Sequence, residues 1–145
     1  MIFKSSLEDR LESWKTLRRK ANNSQYPLQD IWDYWHLAPF SPLNHNINPY
    51  HKEKWPCPWQ IIADNIYDDF TKALMIAYTI KLLERYNDSS VKLKILLDKH
   101  KKIEYNLVFV DDISVLNYSD NGPINADNLP DSFILQNTIE VECPR

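Results

Sequence analysis

The sequence predicts an α+β fold: N-terminal helices and one long buried helix, packed on an antiparallel meander of three to four strands. Three observations carry this. Apolar residues recur at helical intervals in two long stretches before residue 87, and the period switches to two at Val91. The adjacent acids Asp111-Asp112 then join two alternating runs by a tight turn. Helices first and strands afterwards is the order of an α+β domain. A length of 145 residues suits a single domain. It divides into an amphipathic helix over 1–24, a Trp/Pro-rich helix and loop over 25–66, and a central helix plus sheet over 67–145.

In the first segment Leu7, Leu11, Trp14 and Leu17 form an apolar stripe. Ser5 or Ser6 is placed to cap it, with Glu8 and Asp9 at capping-box spacing. Arg18, Arg19 and Lys20 crowd the last turn, where the helix dipole favours cations, and read as a solvated face. A second helix spans about Leu28 to Leu37 and stops before Pro39. From Phe40 to Pro58, prolines, asparagines and the aromatics Phe40, Tyr50 and Trp55 predict a long loop pinned by its rings. Pro58 opens a short helix through Asp64. The longest helix is expected from Asp68 to Tyr86, with Asp68 and Asp69 at its N-terminus, and apolar from Ala73 to Ile80 except for Thr79. Strands follow at Val91–Leu97, Ile103–Val110 and Ile113–Tyr118. A polar loop holding Gly122 and Pro123 then precedes a fourth strand-like stretch from Phe133 to Val141.

Composition removes several classes of function. Gly122 is the only glycine, which excludes Gly-rich phosphate loops, dinucleotide fingerprints and nucleophile elbows. Seventeen Lys and Arg balance twenty Asp and Glu, so no nucleic-acid or membrane-surface partner is announced. No apolar run approaches the roughly 18–20 residues that cross a bilayer. The first ten residues lack a signal-peptide core, and two cysteines, Cys57 and Cys143, are too few for a disulfide framework. A cytosolic setting is therefore expected, with no cofactor.

The candidate chemistries are sparse. His45, His51 and Cys57 share a loop but lack the ligand spacing of a zinc site, so no metal is expected. Asp68 and Asp69 diverge by about 100° on a helix, which suits capping better than an acid/base dyad. Trp55 and Trp59 flank Pro56-Cys57-Pro58 and are the candidate anchors of a protein-contact surface. Asp30, Asp33, Asp64, Asp68 and Asp69 lie close to the tryptophans in sequence, against a nucleic-acid groove.

Two resemblances add context. From Pro58 to Tyr118, a long helix followed by three antiparallel strands resembles the core of transglutaminase-like and papain-like cysteine hydrolases. Tyr67-Asp68-Asp69-Phe70 is similar to that family's helix-opening Cys-Asp-Asp-Phe, and Val115-Leu116-Asn117 to the strand bearing its third catalytic member. Tyr67 stands where the Cys would, and Glu104-Tyr105-Asn106 contains no histidine where the His would stand. The resemblance thus implies a core without catalytic residues. It makes Asp68, Asp69, Tyr105 and Asn117 candidate binding residues beside Trp55 and Trp59. More broadly, Trp32-Asp33-Tyr34-Trp35, Trp55-Pro56-Cys57-Pro58-Trp59, Tyr67-Asp68-Asp69-Phe70 and Val115-Leu116-Asn117-Tyr118 resemble small uncharacterised proteins of marine T4-like tailed phages. The expected function is a non-enzymatic phage protein acting through protein–protein contacts, as a virion component or infection accessory. The alternative is a transglutaminase-like or cysteine-peptidase-like hydrolase or transferase using unrecognised residues.

Overall fold

The computed structural model describes residues 1–144. Helix α1 (Leu7–Asn23) starts at Ser6, whose hydroxyl accepts the Asp9 N–H, and buries Trp14, Leu17 and Ala21. Helix α2 (Pro27–Trp35) begins with proline at its first turn and buries Ile31, Trp32 and Trp35. Helix α3 (Pro58–Asp64) buries Ile61 and Ile62 and ends at Asn65 in the left-handed conformation. Helix α4 (Asp69–Lys81) buries every residue from Ala73 to Ile80. It is the central helix, with α2 and α3 on one side and the sheet on the other.

Helix α4 is shorter than its sequence suggests. The chain leaves it at Leu82 and turns through a short 3-10 segment, Glu84–Tyr86. The cause is tertiary: Arg85 donates its guanidinium to the carbonyls of Ala21 and Ser24, and its N–H to Asn22. These bonds draw the chain onto the frayed end of α1, where carbonyls lack helical partners.

The antiparallel sheet has five strands in the order β4-β3-β2-β1-β5. Strands β1 (Val91–Asp98) and β2 (Ile103–Val110) pair along their whole length, from Val91 opposite Val110 to Asp98 opposite Ile103. Strand β3 (Ser114–Ser119) follows a turn in which Asp111 and Asp112 both take positive φ, 53° and 58°. Gly122 and Pro123 belong not to a loop but to β4 (Gly122–Asn125), hairpinned to β3 at the sheet edge. Proline and glycine conceal this strand in the sequence, yet an edge tolerates the missing N–H. Strand β5 (Phe133–Glu140) crosses back to pair with β1 at the opposite edge.

Alternation gives the sheet two faces. Val91, Leu93, Val108, Val110 and Leu116 pack into the main core with the helices. Leu96, Leu107, Phe109 and Val115 form a second cluster, with Ala126 and Leu129 packed against it. Three donor–acceptor contacts lock the helical layer. The indole N–H groups of Trp14 and Trp35 both donate to Thr79 Oγ1, at 3.0 and 3.1 Å, and Thr79 donates to the Met75 carbonyl at 2.6 Å.

Candidate functional site

The two acids that open α4 have separate tasks. Asp68 is the N-cap: one oxygen accepts from the Thr71 N–H at 2.7 Å and from the Thr71 hydroxyl at 2.6 Å. Its other oxygen accepts from the Asn44 N–H at 3.1 Å. Asn44 is buried, and its amide donates to the Ile66 carbonyl and to Thr71 Oγ1. The Asn/Pro loop is thereby fastened to the head of α4, and Trp55 fastens it again by donating its indole N–H to the Asn48 carbonyl at 2.8 Å.

Asp69 faces the sheet. Its carboxylate accepts from Asn106 Nδ2 on β2 at 2.9 Å and from Asn117 Nδ2 on β3 at 3.3 Å. Asn117 Nδ2 also donates to the Asn106 carbonyl at 2.9 Å. Ladder pairing of β2 with β3 runs only from Val110 opposite Ser114 to Val108 opposite Leu116. Asn117 then takes φ 72°, within the register shift that separates β3 from regular pairing with β4. Asparagine is among the few residues that adopt this left-handed conformation readily. The bulge turns Asn117 toward Asp69, and its side chain supplies the hydrogen bond that the interrupted ladder does not.

A cleft of about 280 Å³ opens beside this network. Phe40, Pro42, Leu43, Ile47, Pro49 and Phe70 give it apolar walls, while Asp68, Asp69, Glu104 and Asn106 supply polar groups. Phe40 is 74% and Leu43 58% exposed, whereas Ile47 and Phe70 are buried beneath them. Among the described residues, no cation pairs with Asp68, Asp69 or Glu104. The arrangement offers an apolar rim for shape and acceptors for orientation, which is the composition of a recognition cleft. Its lining holds no cysteine, serine or histidine side chain. Tyr67, which directly precedes Asp68, is 2% exposed, and its phenol is pushed far above the ordinary range by burial and next by Tyr34, with Arg10 opposing.

The sequence candidates separate into three places. Asp68, Asp69 and Asn117 meet at the head of α4, and Trp55 supports them through its ring against Phe70, at 5.6 Å between centroids. Trp59 lies elsewhere, edge-on to Trp14 at 5.6 Å. Tyr105 belongs to the other face of the sheet, in contact with Tyr118 and Phe133 at 5.5 and 5.3 Å. Asn44, Asn106 and Glu104 were not legible as site residues. Asn106 carried one signal: it shares the inward register of Val108, so an amide occupies a position where alternation expects an apolar side chain.

Cys57 and Cys143 are exposed free thiols, and among the described residues neither hydrogen-bonds an imidazole. No three His, Cys, Asp or Glu side chains among the described residues converge as metal ligands. No helix among them is long and apolar enough to cross a membrane. A scan against protein-family models returns no match for this chain, and a search of curated proteins returns none either.

Proposed function

We propose that this chain is a non-enzymatic phage protein that works by protein–protein contact, in the virion or as an infection accessory, with the cleft at the head of α4 as its docking surface. One observation carries the reading: Phe40 and Leu43 present large exposed apolar surface on a loop held rigid from beneath by Asn44, Asp68 and Trp55. Exposed apolar groups on a pre-ordered support bind with little ordering cost, and isolated clusters of them on a surface mark interaction sites.

A photocrosslinker in place of Leu43, in infected cells and in purified particles, tests this. Crosslinks to one defined protein, lost in Phe40→Asp with unchanged melting, support it. Uniform background at Leu43, or a Phe40→Asp chain that retains full partner affinity, refutes it.

A second reading, the transglutaminase-like hydrolase, draws on one feature. The head of α4, β2 and β3 converge through Asp69, Asn106 and Asn117, on the elements that carry the family's catalytic groups in the resemblance above. The converging groups are a carboxylate and two amides, which can position a ligand but cannot attack an acyl carbon as a thiolate does. Failure of thiol-directed electrophiles to label Cys57 faster than Cys143 would remove this reading.

A further inference from the structure

At the opposite end of α4, the cations of α1 are arranged in a way that a solvated face does not require. Lys15, Arg18, Arg19 and Asn22 recur at three- and four-residue spacing and so share one helix face. With Leu82 and Leu83, where the chain leaves α4, they line a pocket of about 230 Å³. The Arg18 guanidinium lies over the Trp14 ring, 4.2 Å from its centroid. Trp14 is fully buried and tied to Thr79, so this platform is fixed. Stacking holds the guanidinium plane but satisfies none of its donors.

Several other cations of the protein find acceptors. Arg10 donates to the carbonyls of Ser5 and Ile62, and Arg85 to those of Ala21 and Ser24. Lys20 pairs with Asp30, Lys52 with Glu142, and Lys92 with Asp112. Among the described residues Arg18 has no acceptor: its Nε is buried without a hydrogen-bond partner. Among the described residues no carboxylate pairs with Lys15, Arg18 or Arg19. Burial, and after it the adjacent Arg19, hold the Arg18 guanidinium below its ordinary range. A desolvated cation beside a like charge is costly, and an anion relieves both terms at once.

We infer that this pocket binds the doubly charged phosphate of a small phosphate monoester. Two guanidinium groups and one ammonium match a dianion, whereas a single carboxylate would leave most of the charge uncompensated. A fixed guanidinium fork also suits the geometry of phosphate oxygens. Asn22 accepts the Arg85 N–H through Oδ1 at 3.3 Å, which leaves its NH2 as a neutral donor to the anion. Leu82 and Leu83 meet the carbon side of the ligand. The volume is below the roughly 300–1,000 Å³ of drug-sized sites, so the organic part is short.

Calorimetric titration of the full chain with inorganic phosphate and with glycerol phosphate, at low ionic strength, tests the site. Saturable one-site binding is expected for both, at least as tight for glycerol phosphate. Arg18→Gln should weaken it at least about tenfold, the usual consequence of losing a charge-assisted hydrogen bond. Arg19→Gln should weaken it several-fold, and Lys101→Gln in the β1–β2 turn not at all. Should Arg18→Gln not fold, the Lys15→Gln/Arg19→Gln double variant applies the same criterion of lost binding. No saturable binding, or binding indifferent to these variants, overturns the inference. Single-stranded DNA that binds with a steep salt dependence and is not displaced by inorganic phosphate overturns it as well, assigning the patch to a nucleic-acid backbone.

Discussion

Replacing Thr79 by valine should be among the most damaging isosteric changes in this protein. The hydroxyl is fully buried and accepts two indole N–H groups, from Trp14 on α1 and Trp35 on α2. Valine preserves the shape, so no cavity term enters. The Met75 carbonyl keeps a partner, because the Thr79 N–H still meets it in the helical ladder. What changes is that two buried donors lose their acceptor, at about 1–3 kcal/mol each, which gives a loss of about 2–6 kcal/mol. That is a large share of the roughly 5–15 kcal/mol that holds a typical domain together. Urea unfolding followed by far-ultraviolet circular dichroism should show a lower midpoint with an unchanged slope. In a Trp14→Phe background the same substitution should cost about 1–3 kcal/mol less, since one donor is already gone. A Thr79→Val loss under about 0.5 kcal/mol, the range of ordinary surface substitutions, would refute the reasoning.

Three further outcomes follow from the same geometry. Asp68→Ala should cost about 1–2 kcal/mol through loss of the N-cap, and amide exchange should accelerate at Asn44, whose N–H that carboxylate holds; unchanged exchange would detach the loop from the cap. At position 117, with φ 72°, alanine should be less stable than glycine by about 1 kcal/mol, because only glycine escapes the left-handed penalty when the asparagine bonds are gone; thermal melts of the two variants decide it. Burial raises the Tyr78 phenol from 10.0 to about 12, and Cys57 and Glu142 add to the shift. A folded-state value above the unfolded one means this contribution is complete below pH 10, where both states are protonated. It is lost as pH rises through the interval up to about 12, and Tyr78→Phe should flatten that decline in urea unfolding series.

The legibility of the fold varied by element, for identifiable reasons. Helix α1, strands β1 and β2 and the Asp111-Asp112 turn were readable because periodicity and turn chemistry are local. The end of α4 was not, because Arg85 breaks the helix by reaching carbonyls of α1 more than sixty positions earlier in the chain. Strand β4 was hidden by Gly122 and Pro123, which locally signal a turn and are tolerated only because the strand lies at an edge. At the site, Asp68 and Asp69 were visible as helix-opening acids. The division of labour between them was not, since Asp69 acquires its partners from two strands.

By itself the sequence determined the α+β class, most of the helices and strands, and that this chain has no glycine-rich phosphate machinery, because these depend on side-chain spacing and on residue types present or absent. Tertiary structure alone decided which polar groups meet: that Thr79, an interruption in an apolar run, is the acceptor joining three helices, that Asn106 and Asn117 converge on Asp69, and that Arg18 is left without an anion. The physical reason is that hydrogen bonds and ion pairs act over a few ångströms. Their partners become defined only once packing has brought distant parts of the chain to that range.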